Sequence, residues 1–193
     1  MKAIQVRGFG SFDKLEYVDV EMPSPAPGQV LVRIVSASVN FADTMLRKGT
    51  YPVMPPLPTV PGLEASGVVE SIGEQVTQVR PGQRVVVMSP GCYAEYVVAG
   101  VDALAPIPVQ VDVDVAATLP VAYGTAYHIL HTMAQVKPGQ TILLRAPAGG
   151  VGTAMIQLAK RAGAMVIGIT GSEQKAHYAK RLGCDHVINR KTD

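Results

Sequence analysis

Residues 145–160 read RAPAGGVGTAMIQLAK, with Gly149, Gly150 and Gly152 standing where the apolar run TILLRA ends and a helical pattern begins. A glycine loop acquires a phosphate-binding meaning only between a strand and a helix. Only there do the free N–H groups and the positive dipole end of the helix face a ligand. The run ILL before the loop reads as a strand. After it, Val151, Ala154, Met155, Leu158, Ala159 and Ala162 recur at i, i+3, i+4 and i+7, which predicts a helix over 151–162 with one apolar face. The spacing is Ala146-x-x-Gly149-x-x-Gly152 with Gly150 added, not a strict GxGxxG. Gly149 or Gly150 would let the backbone approach a pyrophosphate, and Gly152 would let helix and strand pack closely.

Downstream the order continues as strand (MVIGI), helix (173–182) and strand (HVI), the alternation of a parallel α/β sheet. Gly163 and Gly183 fall where C-terminal caps are expected. An NAD site places Asp or Glu at the end of the second strand to bind the ribose 2′-hydroxyl. Here that place reads Thr170-Gly171-Ser172, with no carboxylate until Glu173 and with Lys175 one turn further on. Hydroxyl and ammonium donors suit a 2′-phosphate, so the residues favour NADP. Ser172 is equally an ordinary helix N-cap.

Upstream, proline and glycine punctuate the first 110 residues, and the segments between are short and valine-rich, a many-stranded β pattern. Pro-Gly-Gln occurs at 27–29, 81–83 and 138–140, each time just before an apolar run, so each is a type II turn delivering a strand. Further strands are expected near 2–7, 15–20, 66–72 and 93–98, together a small barrel or sandwich. After Pro108 the stretch DVDVAATLPVAYGTAYHILHTMAQV predicts two helices divided near Pro120.

The 193 residues are 48% hydrophobic and 17% charged, which suits a globular chain and not a disordered one. No stretch approaches the ~18 uninterrupted apolar residues of a membrane span, and the start MKAIQVRGFG has no apolar core behind Lys2, so a cytoplasmic location is expected. Cys92 and Cys184 form no CxxC motif and read as free structural thiols. Net charge is +2, unevenly spread. Residues 1–136 hold 8 basic and 12 acidic side chains, whereas 137–193 hold 9 basic and 3 acidic. Such a basic region attracts phosphate. Nucleic acid is disfavoured, because Tyr178 is the one aromatic of residues 137–193 and no stacking platform can be built from it.

The segment GQTILLRAPAGGVGTAMIQLAK, with PGLEASGVVESIGEQV and SVNFADTMLRKGTYP upstream, resembles the zinc-free quinone oxidoreductases, the zeta-crystallin-like branch of the medium-chain dehydrogenase/reductases. The resemblance covers essentially the whole chain. It implies an α/β fold with a β-rich N-terminal part: a GroES-like substrate domain over 1–122, then a Rossmann NADP-binding domain over 123–193. It also implies NADPH, hydride transfer to a quinone or enone, and a homodimer in the full-length form. Position by position, Asn40, Tyr51 and Thr125 match residues that line the nicotinamide and substrate cleft. Ala148, Gly149, Gly150, Val151 and Gly152 match the pyrophosphate loop. Thr170, Gly171, Ser172 and Lys175 match the 2′-phosphate contacts. Three positions depart from the pattern. Pro147 stands where a small residue is usual, Met45 where some relatives have tyrosine, and Arg190 where many have a tyrosine against the cofactor; Arg190 could still pair with phosphate.

Zinc-dependent cousins offer cysteine and histidine ligands around the cleft and a lobe of four cysteines. Here those stretches read Asn40 and Gly62-Leu63-Glu64, and two cysteines cannot supply four thiolates. His128 and His131 could share one helix face but lack a third ligand. Without a Lewis acid, reduction of an electron-poor acceptor suits the chain better than alcohol oxidation. Tyr51 is a candidate proton donor. About 52 residues follow Thr141, too few for the six strands of a doubly wound sheet, so the Rossmann half is expected to be incomplete: a fragment, or a short form that needs a partner. The rival readings are an enoyl reductase on thioester-linked substrates, a non-catalytic crystallin-like protein, and an RNA binder using the basic segment.

Overall fold

The computed structural model describes residues 1–192 and divides the chain into two compact units, Met1–Val121 and Ala122 onward. In the first unit, β1 (Lys2–Val6) pairs antiparallel with β2 (Leu15–Asp19). A separate five-stranded antiparallel sheet is built from β3 (Gln29–Ala37), β4 (Glu64–Ile72), β5 (Arg84–Met88), β6 (Tyr96–Gly100) and β7 (Leu104–Pro106), in the order β6-β3-β4-β5-β7. The strand expected at 93–98 thus lies three residues later at its start. Two register shifts between β3 and β4, at Leu31/Val32 and Ile34/Ser36, curl this sheet into a half-barrel.

The reason for the curl is visible in the packing. Val30, Val32, Ala65, Val69, Val85, Val87, Val97 and Ala99 alternate inward along four strands and enclose Cys92. β-branched side chains suit such a pleated, buried surface. Each of the Pro-Gly-Gln turns is as expected: Gly28, Gly82 and Gly139 have φ of 77°, 82° and 81°, and a strand follows. One helix, α1 (Phe41–Lys48), interrupts the strands. The Asn40 backbone N–H donates to Asp43 Oδ2 at 2.8 Å across its first turn, and Gly49 in a left-handed conformation (φ 76°) closes it.

After β7 the helical segment is more broken than its sequence predicts. It consists of the single turn α2 (Val113–Ala116), α3 (Pro120–Tyr127), and a π-helical stretch at His128–Met133. Asp112 caps α2 through its carboxylate.

In the second unit, β8 (Thr141–Arg145), β9 (Met165–Thr170) and β10 (His186–Asn189) form a parallel sheet in the order β10-β9-β8, with α4 (Gly150–Arg161) and α5 (Glu173–Arg181) as the crossovers. The side of α4 that is most deeply buried is Gly152, Ala154, Ile156 and Ala159, rotated from the stripe read off the sequence. Gly152 lies against the Ala146–Pro147 backbone, where a Cβ would clash, and Ile156 one turn on is fully buried. Leu130, Leu144, Val166, Ala179 and Cys184 complete that core. Among the described residues no helix is long and apolar enough to cross a membrane.

A polar clamp ties the elements of this unit together. Lys160 Nζ on α4 donates to Asp185 Oδ1 and Oδ2 at 2.7 and 2.8 Å, and the Val166 N–H of β9 donates to Oδ2 at 2.7 Å. The Lys160 contact first, and the Val166 N–H second, hold the Asp185 carboxyl below its ordinary value of 3.8. A carboxyl lowered on folding stabilises the fold above its unfolded pKa and loses that contribution as pH falls through the folded one. Asp185→Asn should therefore unfold at lower urea than the parent at neutral pH, with the two converging as the pH is taken below the ordinary aspartate range. Equal urea midpoints at neutral pH would show that the clamp contributes nothing.

Candidate functional site

The parallel sheet presents the carboxyl ends of its strands in register, Arg145 opposite Ile169 and Asn189 opposite Thr170. Open α/β sheets bind ligands at this edge. Here a cavity of about 450 Å³ opens, lined by the end of β8 and the loop after it (Arg145, Ala146, Pro147, Ala148, Gly149), the end of β9 and the corner after it (Ile169, Thr170, Gly171, Ser172), Lys175 of α5, and Arg190 and Lys191 after β10. Of the residues expected to hold a cofactor, Ala148, Gly149, Thr170, Gly171, Ser172, Lys175 and Arg190 all lie on this wall. Gly150, Val151 and Gly152 form the first turn of α4 instead.

The glycines divide by role. A Cβ on Gly152 would collide with the Ala146 carbonyl oxygen and stand 2.8 Å from Pro147 Cα, so this glycine exists for close packing. A Cβ on Gly150 would meet nothing within 4 Å, so its backbone is open to a ligand. Ala146 turns the chain with φ of 54°, and Pro147, the departure from the family pattern, is fully buried. Its ring fills the space left by Gly168 on β9, where a Cβ would lie 2.9 Å from Pro147 Cγ.

The wall is electropositive. Arg145, Lys175, Arg190 and Lys191 line it without an acidic side chain, and among the described residues none of the four enters a salt bridge. Ser172 is the N-cap of α5, its Oγ accepting from the Lys175 N–H at 3.4 Å. Such an arrangement can hold a phosphate-rich group. Arg145 and Lys191 were not expected from the sequence. The available signal was their place at the ends of two parallel strands.

The first unit holds a second polar cluster around Asn40. Its Nδ2 donates to Glu64 Oε1 at 2.6 Å, the Ser38 hydroxyl donates to the same oxygen, and the Val121 N–H donates to Oε2 at 2.7 Å. Glu64 is buried, and among the described residues it enters no salt bridge. Asp43, also buried, accepts from the Tyr93 hydroxyl at 2.9 Å, and burial followed by this bond pushes the Tyr93 phenol well above its ordinary value of 10. Burial likewise raises the Cys92 thiol to about 12, which leaves it a packed, unreactive group. Glu64, Asp43 and Tyr93 were missed by sequence reasoning. The Asn40-x-x-Asp43 spacing was a capping-box signal, whereas nothing local marks Glu64. Tyr51 lies half-buried in the turn after α1, and Thr125 is exposed on α3 in the second unit.

Residues 26–109 match the family model described as "Alcohol dehydrogenase GroES-like domain", and 150–193 match "Zinc-binding dehydrogenase". The quinone oxidoreductase of Lama guanicoe is 36% identical over the whole of this chain and 59% of its own length. The structure of the Escherichia coli quinone oxidoreductase, solved with NADPH, superposes with a TM-score of 0.94 at 33% identity, over 100% of this chain and 60% of that one. The chain belongs to the quinone oxidoreductase family. A 2-haloacrylate reductase of Burkholderia sp is 39% identical over 95% of this chain and 57% of its own length. The chain spans about 59% of the length of the quinone oxidoreductases of Lama guanicoe and Sus scrofa.

Among the described residues no three His, Cys, Asp or Glu side chains gather as a ligand set. His128 and His131 lie on the π-helical stretch, with the His131 ring packed on Tyr127 at 4.6 Å between centroids.

Proposed function

We propose that the chain carries the NADPH-binding half-site and the substrate domain of a zinc-independent oxidoreductase that reduces quinones or other electron-poor double bonds. The observation that carries this reading is the cavity at the carboxyl edge of the parallel sheet, where four basic side chains converge on a glycine loop with no acidic residue among them. The NADPH in the Escherichia coli relative supports the choice of cofactor. Residues 1–122 would form the substrate domain and 123–193 the cofactor domain.

NADPH, when bound, supplies a hydride. The backbone around Gly149 and Gly150 would take the pyrophosphate at the N-terminus of α4, where the dipole is favourable and Gly150 is open. Ser172 and Lys175 would take the 2′-phosphate. Within the first unit, Asn40, whose amide is oriented by Glu64, and Tyr51 would line the path of the acceptor, and the Tyr51 phenol would donate the proton that completes the reduction.

NADPH should bind at least tenfold more tightly than NADH, a ratio for which one charge-assisted contact of ~1.5–3 kcal/mol suffices. Lys175→Ala should weaken NADPH much more than NADH when both are titrated by fluorescence. Equal losses would show that Lys175 is only a solvated side chain.

The 2-haloacrylate reductase relative favours a conjugated carbon–carbon double bond as a second acceptor class. Loss of NADPH absorbance with a panel of quinones, enones and 2-haloacrylates would decide between them. No turnover of any acceptor by a full-length protein would overturn the enzymatic reading.

A further inference from the structure

Asn40 stands in a turn that its own neighbours do little to pack. Val39 and Phe41 on either side are 77% and 79% exposed, so the Asn40 backbone is fixed mainly by polar contacts. Glu64 takes its side-chain amide, and the Asn40 backbone N–H donates to Asp43 Oδ2 at 2.8 Å. That same oxygen accepts from the Tyr93 hydroxyl at 2.9 Å, whereas the buried Asp43 Oδ1 has no hydrogen-bond partner among the described residues. Both side-chain bonds of this carboxylate therefore converge on one oxygen, and losing either is costly.

Tyr93 reaches the turn from an anchored backbone. Its N–H donates to the Pro61 carbonyl at 3.0 Å, and its own carbonyl accepts from the Ile4 N–H at 2.7 Å. The two chains pass closely at Gly62, where φ is 95° and a Cβ would stand 2.7 Å from the Tyr93 backbone nitrogen. From there the phenol carries one proton with two acceptors in reach, Asp43 Oδ2 and, at 3.2 Å, the Ser38 carbonyl. Ser38 precedes Asn40 and Asp43 follows it, so one hydroxyl braces the turn on both sides. Burial first, and the bond to Asp43 second, raise the phenol's pKa and keep it a donor at neutral pH.

We propose that Tyr93 is a positioning residue: its hydroxyl, through Asp43 and the Ser38 carbonyl, sets the backbone of the turn that presents Asn40 to the acceptor, while Glu64 sets the amide itself. This rests on the reading that Asn40 lines the acceptor's path. A tyrosine outside that path thus governs how the acceptor is held.

Tyr93→Phe keeps the ring and removes only the hydroxyl. In amide hydrogen exchange on the whole chain, the variant should speed exchange of the Asn40 N–H by roughly tenfold more than that of the Val69 N–H, which is bonded to the Gln83 carbonyl at 2.9 Å. In a full-length protein with p-benzoquinone as acceptor, the same change should lower kcat/KM by roughly tenfold. NADPH affinity should change less than about twofold, because no residue of the first unit lines the cofactor cavity. Asn40→Ala should lose as much, and adding Tyr93→Phe to it should cost less than about a further twofold. Asp43→Asn weakens the same relay and should speed Asn40 exchange in the same way; it carries the test if circular dichroism shows Tyr93→Phe to be unfolded. Equal acceleration at Asn40 and Val69 would overturn the proposal in favour of a general loss of stability. Faster Asn40 exchange with parental acceptor kinetics would overturn the positioning role, and losses that multiply in the double variant would overturn action through Asn40. No turnover by the parent would overturn the enzymatic reading instead, and the exchange ratio would still decide whether Tyr93 holds Asn40.

Discussion

Gly152→Ala should cost the second unit about 1–3 kcal/mol, read as a lower urea midpoint for its unfolding, and should lower NADPH affinity by roughly a hundredfold. The atoms its Cβ would meet are backbone: the Ala146 oxygen, Pro147 Cα at 2.8 Å and Pro147 C at 3.0 Å. None can rotate aside as a side-chain tip would. Relief requires the loop to move off α4, and that loop forms the cavity wall. Gly150→Ala is the contrasting case. Nothing lies within 4 Å of its Cβ and it sits in the first turn of α4, so the variant should match the parent or gain up to about 1 kcal/mol in stability. It should nevertheless bind NADPH more weakly, because the methyl group would project into the ligand's space. A Gly152→Ala protein as stable as the parent would refute the packing role, and a Gly150→Ala protein with parental NADPH affinity would refute the ligand role.

Glu64→Ala should be the most destabilising single change in the first unit, by about 3–5 kcal/mol in urea unfolding. The carboxylate is buried and takes three donors, from the half-buried Ser38, Asn40 and Val121, and removing it takes the acceptor from all three. Glu64→Gln keeps the shape and should cost about 1–2 kcal/mol. Its amide oxygen can accept from the Val121 N–H, but its NH2 then faces Asn40 Nδ2 and forces that amide to turn over. Asn40 would present the opposite end of its amide, so a turnover defect in Glu64→Gln should be partly rescued by adding Asn40→Asp. A Glu64→Ala protein with the parent's urea midpoint would show that the cluster is satisfied by solvent.

Much of the fold was legible in local chemistry. The Pro-Gly-Gln turns announce β3, β5 and β8 because proline presets φ and glycine accepts the positive φ that the turn needs, and that local chemistry needs no tertiary partner. The alternation of strand, glycine loop and helix from Thr141 onward was readable for the same reason. The rotated burial of α4 was not, because the depth to which Gly152 sinks depends on the Ala146–Pro147 backbone, which the helix's own periodicity does not encode. Nor was the π-helical stretch at His128–Met133, whose apolar content is equally compatible with an α-helix.

The same division runs through the candidate site. Gly149, Gly150, Ser172 and Lys175 could be assigned from the sequence, because loop, cap and first helical turn are neighbours along the chain and the helix end itself generates the anion-binding field. Arg145 and Lys191 join them only because three parallel strands end in register, and Arg190 because its N–H reaches the Thr170 carbonyl at the end of the neighbouring strand. Glu64 reads as one acidic residue in a valine-rich strand until Ser38, Asn40 and Val121 are brought around it. Short-range sterics and helix-end electrostatics are properties of a segment and can be read from it. Burial, charge convergence and the satisfaction of a buried carboxylate depend on which distant segments are neighbours, and only the tertiary structure decides that.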